Sequence, residues 1–340
     1  MTVQDETPGF DTTSLGLAET PGAWSPTPLQ HAMLLSGLSG GVRRSNLEQI
    51  LIEAPDLPLE ADALRAALCA LAARHPALRA CAELTVDGSL VWTVAAPRAP
   101  ELTLCDWPDA PNEALSAWLE ADRTRGFDLR RSPWRAMLAT RGGLPPLLVL
   151  TLHHAAIDLP GMAVLLEELA DLLSGKPLPP LDTPFETICA TPPLDLAAAR
   201  THFATRFGAF EKLDLLEPHR VPGRMQSCRA DLPEAVTVAL RSRAKAAGAG
   251  TFAALQAAWA LILARWTGRS DASFGLTLAG RNLMPGHERS VASLIATLPQ
   301  RLDLADLPHL DALLALAQSE TEALRPHHAA SLDQVRQWAG

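Results

Sequence analysis

The sequence lacks the patterns that build disulfide frameworks, zinc sites and membrane spans. Its 340 residues include five cysteines and no tyrosine, and only 5% are aromatic. The cysteines are odd in number, widely spaced and without a C-x-x-C pair, which disfavours a disulfide framework or a cysteine-based zinc site and fits a reducing compartment. The most apolar stretch, 251–266, contains Gln256 and Arg265 and is too short to span a bilayer.

Clustered positive charge and an export signal are also lacking. The sequence has 29 Lys and Arg and 38 Asp and Glu, so its formal net charge is −9. This balance disfavours nucleic acid or an anionic membrane as the main partner, because phosphate binding needs clustered basic residues. Residues 1–22 have no basic segment followed by an apolar one; they therefore predict a flexible leader rather than a secretory signal, and a cytoplasmic location.

What the chain has is enough apolar material for two cores. Hydrophobic residues make up 48% of it and charged residues 20%, which excludes global disorder, and the length predicts about two domains. Helical and strand patterns alternate, so we predict an α/β (α+β) fold. We expect an N-terminal lobe over 23–178, a linker and connecting helix over 179–215 around a proline-rich run, and a C-terminal lobe over 216–340.

Hydrophobic periodicity predicts the individual elements. Asp87-Gly88 predicts a hairpin turn between two strands within 82–95, and Asp158–Gly161 is interpreted as a turn. A short helix is predicted to start after the turn at 25–28, with an apolar face formed by Leu29, Met33 and Leu34. The other predicted strands are 47–53, 134–140, 147–153, 272–278 and 294–304, and the other predicted helices are 62–74, 113–123, 162–173, 195–210, 233–247, 252–266 and 310–324.

One segment carries the residues of a chemical site. An almost wholly apolar strand ends in His153-His154, and Asp158 follows four residues after the second histidine. A metal site is disfavoured, because side chains on a strand alternate faces and adjacent histidines cannot both reach one ion without a kink. Two interpretations stay open: both histidines are hydrogen-bonded core residues, or one is fixed inside while the other projects as a general base.

The same segment resembles the H-H-x-x-x-D-G motif of the condensation domains of nonribosomal peptide synthetases, members of the chloramphenicol-acetyltransferase-like superfamily. Five further segments resemble motifs of this family in the family's order. They are Thr27-Pro28-Leu29-Gln30 with Met33-Leu34, Arg74-His75-Pro76-Ala77-Leu78-Arg79, Phe127-Asp128-Leu129 with Pro133 and Arg135, Ala279-Gly280-Arg281, and Thr297-Leu298-Pro299-Gln300-Arg301.

The resemblance implies two acetyltransferase-like lobes in a V-shaped pseudo-dimer, with the active site in a tunnel between them. His154 would then be the catalytic residue that deprotonates or orients an attacking amine. His153 and Asp158 would support the site, and an arginine would pair with Asp158. Three arginines are candidates for that pairing: Arg301, Arg281 and Arg79.

The resemblance also implies the substrates and partners. A donor acyl or peptidyl thioester and an acceptor aminoacyl thioester would arrive on the phosphopantetheine arms of two peptidyl carrier proteins, loaded by an adenylation domain of the same assembly line. No cofactor or metal would be bound directly. Two alternatives remain: a catalytically silent platform that docks carrier proteins or tailoring enzymes, and an acyltransferase that forms esters or adds a starter acyl group.

The sequence departs from the family pattern in places. Leu159 stands where the motif has glycine, and Gly161 where a serine is usual; both are candidates for residues that line the tunnel. Ala292, Leu294 and Ala296 replace three residues of the later motif. Family domains continue beyond a segment like 334–340, so we expect the second lobe to be incomplete.

Overall fold

The structure, a computed structural model, describes residues 23–38, 45–53, 59–109, 111–181, 194–210, 228–284 and 286–339. The predicted leader and most of the proline-rich run lie outside these residues. The described residues form two compact units. The first contains the residues up to 181 together with Arg289–Ser293, and the second contains the others from 194 onward. The helix predicted within the linker belongs to the second unit.

The first unit contains two sheets. Its four-stranded sheet has the order β2-β7-β6-β5, in which β5 runs parallel to β6 and the other neighbours are antiparallel. Its three-stranded antiparallel sheet has the order β1-β4-β3. The strands are β1 Ala23–Trp24, β2 Leu47–Glu53, β3 Ala80–Leu84, β4 Leu90–Val94, β5 Glu101–Trp107, β6 Trp134–Arg141 and β7 Leu144–His153.

Four helices complete this unit: α1 Pro28–Leu38, α2 Ala61–Arg74, α3 Pro111–Arg125 and α4 Leu159–Leu173. Because side chains on a strand alternate, β7 contributes to two cores. Leu148, Leu150 and Leu152 pack with α2 and α4 on one face, whereas Leu147 and Val149 pack with α3 on the other. The apolar composition of β7 therefore predicted correctly a strand that is buried on both faces.

A short segment distant in sequence completes the first unit. Val291 is 3% exposed and belongs to the core cluster to which α2 and α4 contribute. The carbonyl oxygen of Ala292 accepts a hydrogen bond of 3.3 Å from the backbone N–H of Asp158. Arg289 forms an ion pair of 3.0 Å with Glu167 of α4. Residues 289–293 are thus packed into a unit whose other described residues end at 181.

The second unit contains a two-stranded antiparallel sheet, β8 Asp271–Ala279 and β9 Ile295–Asp303. Its helices are α5 Leu196–Phe207, α6 Glu234–Ala246, α7 Thr251–Thr267, α8 Leu310–Leu324 and α9 Leu332–Ala339. Two cores surround the sheet. Ala272 and Leu302 pack with α6, α7 and α8, and Leu276 and Leu298 pack with α5 and α9.

The structure confirms most of the predicted elements, adds three and corrects one prediction. Strands β1 and β5 and helix α9 were not predicted. The segment Asp158–Gly161 is not an isolated turn, because α4 already begins at Leu159 and Asp158 is its N-cap. Among the described residues, no single helix is long and apolar enough to cross a membrane, and only α6 and α7 together, bent by 102°, meet those criteria.

Candidate functional site

The histidine pair lies where β7 ends. His153 is opposite Leu47 of β2 in the antiparallel register, and the backbone N–H of His154 donates a hydrogen bond of 2.7 Å to the carbonyl of Asn46, which extends the ladder by one residue. Successive side chains on a strand point to opposite faces. The two adjacent imidazoles therefore occupy different environments, as the alternation in the sequence predicts.

His153 is held inside the first unit. His153 is 2% exposed to solvent, and its Nδ1 accepts a hydrogen bond of 3.2 Å from the backbone N–H of Ala155. Its ring contacts that of Phe127 edge to face. Burial, reinforced by the neighbouring His154, lowers the pKa of His153 from 6.5 to about 4. Since a buried imidazole is more stable without charge, His153 is neutral at physiological pH.

His154 has one nitrogen fixed and the other accessible. Its Nδ1 lies 2.8 Å from the carbonyl oxygen of Ile157. A carbonyl oxygen only accepts, so Nδ1 carries the hydrogen and the neutral ring has its lone pair on Nε2. The side chain is 24% exposed, and Nε2 faces Glu48 at 3.9 Å. The arrangement can accept a proton at Nε2 without rotation of the ring.

Asp158 fixes the start of α4. Its carboxylate is buried and accepts a hydrogen bond of 3.0 Å from the backbone N–H of Gly161, which is the capping contact of a helix N-terminus. Asp158 therefore joins the loop after the histidines to the first turn of α4.

Two of the three candidate arginines make their contacts elsewhere. Arg79 donates to two backbone carbonyls of its own unit. The guanidinium of Arg301 donates hydrogen bonds of 2.7–3.1 Å to both carboxylate oxygens of Asp271 and a further one to a backbone carbonyl in the second unit. The guanidinium groups of Arg79 and Arg301 are thus engaged within their own units, and the pairing of either with Asp158 remains a prediction. Arg281 is buried in the second unit, and its pairing with Asp158 stays a prediction.

The two candidates for tunnel lining differ sharply in exposure. The Leu159 side chain is 76% exposed. Gly161 is buried instead, and a Cβ added there would lie 3.1 Å from the carbonyl oxygen of Ala292 and 3.2 Å from the Asp158 carboxylate. The glycine at 161 thus permits close backbone packing, and a place of Leu159 or Gly161 in a tunnel wall stays a prediction.

Gln30 is a residue of the site that the sequence did not reveal as such. Its Nε2 donates hydrogen bonds of 3.1 Å to the carbonyls of Ala155 and Ser293. It thereby joins the loop that follows His154 to the segment 289–293. The available signal was the spacing T-x-x-Q, since Thr27 and Gln30 form a reciprocal capping box at the start of α1.

A buried ion pair stabilises the surroundings of His153. Arg135 donates to the Asp122 carboxylate at 2.5 Å, and both side chains are less than a tenth exposed. The same carboxylate accepts from Thr151 of β7 at 2.9 Å. The Arg135 guanidinium also lies 4.3 Å from the centre of the Phe127 ring, the ring that contacts His153. Arg135 therefore orders both the end of β7 and the aromatic wall of the histidine.

A second buried cluster ties α4 to α2. The carboxylate of Glu168 accepts hydrogen bonds from Arg74 at 3.0 Å and lies 2.6 Å from Nε2 of His75. Burial alone would raise the pKa of Glu168, but the hydrogen bonds from His75 and Arg74 outweigh it and hold the pKa below its ordinary value. This cluster contains the R-H pair of the second motif and stabilises the helix that Asp158 caps.

Nothing in the described ranges points to a metal centre, since no three His, Cys, Asp or Glu side chains there are grouped so that they could bind an ion.

Comparison with known proteins identifies the family. The Condensation domain family matches residues 26–338. The chain belongs to the condensation domain family. Its curated relatives include peramine synthetase A of Epichloe festucae, 28% identical over 68% of this chain, and the AMB antimetabolite synthetase AmbB of Pseudomonas aeruginosa, 33% identical over 65% of it. The matches span 8% and 19% of those synthetases, so the relatives are far longer than this chain.

Solved condensation domains share the fold. The first condensation domain of the calcium-dependent antibiotic synthetase, in complex with a substrate analogue, gives a TM-score of 0.75 at 22% identity, covering 94% of this chain and 78% of that one. The X-domain from teicoplanin biosynthesis, in complex with OxyB, gives 0.76 at 23% identity, covering 94% and 74%. The mixed helix and sheet architecture of this condensation domain agrees with the predicted fold class.

Proposed function

We propose that this condensation domain forms an amide bond between a donor acyl or peptidyl thioester and the amine of an acceptor aminoacyl thioester. The observation that carries the proposal is the state of His154: Nδ1 is fixed on the Ile157 carbonyl, and Nε2 is accessible. His154 is the catalytic residue of the proposal, and His153 and Asp158 are supporting residues. A positioned acid–base group of this kind contributes about 10²–10⁴-fold in rate.

The reaction balances around Nε2 of His154. The lone pair of the acceptor nitrogen attacks the thioester carbonyl, the C–N bond forms, and the C–S bond breaks. The nitrogen loses a proton to Nε2 as it attacks, and the departing thiolate takes up a proton, so that the products are an amide and a free thiol. Because Nδ1 keeps its hydrogen on the Ile157 carbonyl, the imidazolium formed donates from Nε2.

The substrates of the proposal are carried on phosphopantetheine by donor and acceptor peptidyl carrier proteins, which an adenylation domain loads in the cytoplasm. Membership of the family supports these partners. No cofactor bound by the domain itself is required, because proton transfer by an imidazole and the reactivity of the thioester suffice for the bond exchange.

The experiment that tests the function uses donor and acceptor carrier proteins loaded with acyl- and aminoacyl-phosphopantetheine, with the product detected by intact mass. We expect the wild-type domain to transfer the acyl group and His154→Ala to lose at least 100-fold in rate. Leu84→Ala is the matched control, since it shortens an exposed side chain on β3 of the same unit, away from the proposed site. Turnover that is equal in His154→Ala and wild type would refute the catalytic role.

The same experiment separates the alternatives. Carrier binding without transfer by the wild type would support a docking platform, and the solved complex of an X-domain with OxyB shows that this fold is also found bound to a partner protein. Transfer to a hydroxyl acceptor and not to an amine would support the ester-forming alternative.

A further inference from the structure

A carboxylate lies beside the accessible nitrogen of the proposed catalytic histidine. Oε1 of Glu48 is 3.9 Å from Nε2 of His154. Glu48 belongs to β2, at the edge of the four-stranded sheet, and is opposite Leu152 in the register. His154 is two residues beyond Leu152, so it is the diagonal neighbour of Glu48 on the same face, a separation that long side chains can bridge.

Glu48 has no structural task that accounts for this position. Its side chain is 47% exposed, so it contributes no buried contact to the core. The next residue of the same strand, Gln49, does have such a task, since it donates to the Asp122 carboxylate at 2.8 Å. A salt bridge between two partly exposed side chains such as Glu48 and His154 adds little to stability.

The hydrogen-bonding state of His154 determines what fits between the two side chains. In the neutral ring Nε2 is an acceptor, and an ionised carboxylate only accepts. Two acceptors 3.9 Å apart favour a group that donates two hydrogen bonds and carries positive charge. A primary ammonium has three donors and one positive charge, whereas a hydroxyl has one donor and no charge.

We propose that Glu48 binds the ammonium group of the acceptor substrate and thereby selects amines over hydroxyls. The proposal rests on the proposed function, because it assigns a further residue to the same site. Free α-amino groups titrate at about pH 7.7–8.0, so most acceptors arrive protonated. One N–H of the ammonium donates to Glu48 and another donates to Nε2 of His154, which takes that proton and releases it to water. The neutral amine then faces the thioester, and Nε2 is again free to take the second proton as the amine attacks.

The test compares two small acceptors that differ only in this group. Alanyl-N-acetylcysteamine carries the ammonium and lactyl-N-acetylcysteamine carries a hydroxyl in its place. A hydrogen bond to a charged group contributes enough for about 10- to 100-fold in affinity. We expect Glu48→Gln to lower kcat/KM for the alanyl thioester by that factor, mainly through KM, and to leave the inhibition constant of the lactyl thioester within about 2-fold.

Two further variants make the result specific to the charge. Glu48→Asp keeps the carboxylate on a shorter side chain and is expected to recover part of the preference for the alanyl thioester. Glu60→Gln removes an exposed carboxylate that makes no capping hydrogen bond with its side chain, at the start of α2, and is the matched control. Thermal unfolding of each variant checks that the fold is intact.

The outcomes separate this proposal from the proposed function. If the wild type forms amide and Glu48→Gln discriminates between the two acceptors as the wild type does, the role of Glu48 is refuted while amide formation stands. If the wild type transfers to no amine, the role of Glu48 is tested by measuring how tightly the domain binds the alanyl and the lactyl thioester. A preference for the alanyl thioester that is lost in Glu48→Gln supports the ammonium site, and equal binding of both by the wild type overturns it.

Discussion

Replacement of Arg135 by methionine tests whether the buried ion pair behind His153 holds the first unit together. The substitution removes three hydrogen bonds: two to Asp122, from Nε at 2.5 Å and from Nη2 to its backbone carbonyl at 2.9 Å, and one to the Gly126 carbonyl at 2.7 Å. It leaves the Asp122 carboxylate, 3% exposed, without its cation. Breaking a buried pair in this way costs about 3–5 kcal/mol in free energy of unfolding.

The surroundings of Asp122 set where in that range the cost falls. Its carboxylate keeps hydrogen bonds from Thr151 at 2.9 Å and from Gln49 at 2.8 Å, so the charge remains partly satisfied. We therefore expect a loss of about 3 kcal/mol, the lower end of the range. With a urea dependence of about 2–3 kcal/mol per molar, the midpoint of the first unit falls by about 1–1.5 M.

A control of the same chemistry lies on the surface of the same unit. Arg125 forms an ion pair of 2.6 Å with Glu101, but the two side chains are 54% and 50% exposed. Arg125→Met is expected to cost less than about 1 kcal/mol. Urea unfolding followed by circular dichroism measures both variants. If Arg135→Met were no more costly than Arg125→Met, burial would not be the source of the stability assigned to the network.

Three further predictions concern the surroundings of the site. The pKa of His153 is lowered by burial and by His154 to about 4, so below pH 6.5 the unfolded chain binds a proton that the folded chain does not. The wild type is therefore expected to lose roughly 2 kcal/mol of its free energy of unfolding between pH 6.5 and 5. Urea titrations of His153→Asn are expected to lack that loss. Because the pKa of Glu168 is below its usual 4.5, the ionised carboxylate stabilises the fold above pH 4.5, and this contribution is lost as the pH falls through the lowered pKa. Glu168→Gln is expected to be less stable than wild type by about 2–3 kcal/mol at pH 7. The difference between the two is expected to shrink when unfolding is measured at acid pH. Gly161→Val forces side-chain atoms against neighbours 3.1–3.2 Å from its Cβ and is expected to lower the unfolding free energy by about 1–3 kcal/mol, whereas Leu159→Ala changes it by less than about 0.5 kcal/mol in the same melts.

The sequence predicted best the features that depend on local periodicity. The alternation of strand side chains separates His153 from His154, and the apolar run before them predicts a strand buried on both faces. The strand Leu47–Glu53 and the helix Leu310–Leu324 have the bounds that periodicity predicted. The prediction of a tight turn at Gly88 is confirmed by its φ of 84°.

The elements that were missed depend on partners or on weak local signals. Strand β5, ELTLCDW, is an edge strand with no buried residue, and its partner residues in β6 lie 34 positions further along the chain. Its sequence pattern alone is therefore a weak signal. Helix α9 is short and polar, but Ser331 and Gln334 form a capping box that could have located its start. The contact partners of Gln30, Arg79 and Arg301 arise from tertiary packing, which spacing cannot supply.

The way residues 289–293 complete the first unit bears on how such domains can be recombined. A chimera cut once, in the proline-rich region after α4, would supply the N-terminal portion from one parent and these five residues from the other. The foreign residue at 291 would then enter the core of the N-terminal portion, and the one at 292 would meet the backbone at Asp158. Shuffling of such domains is therefore expected to tolerate a cut after α4 only when the 289–293 segment travels with the parent of the N-terminal portion.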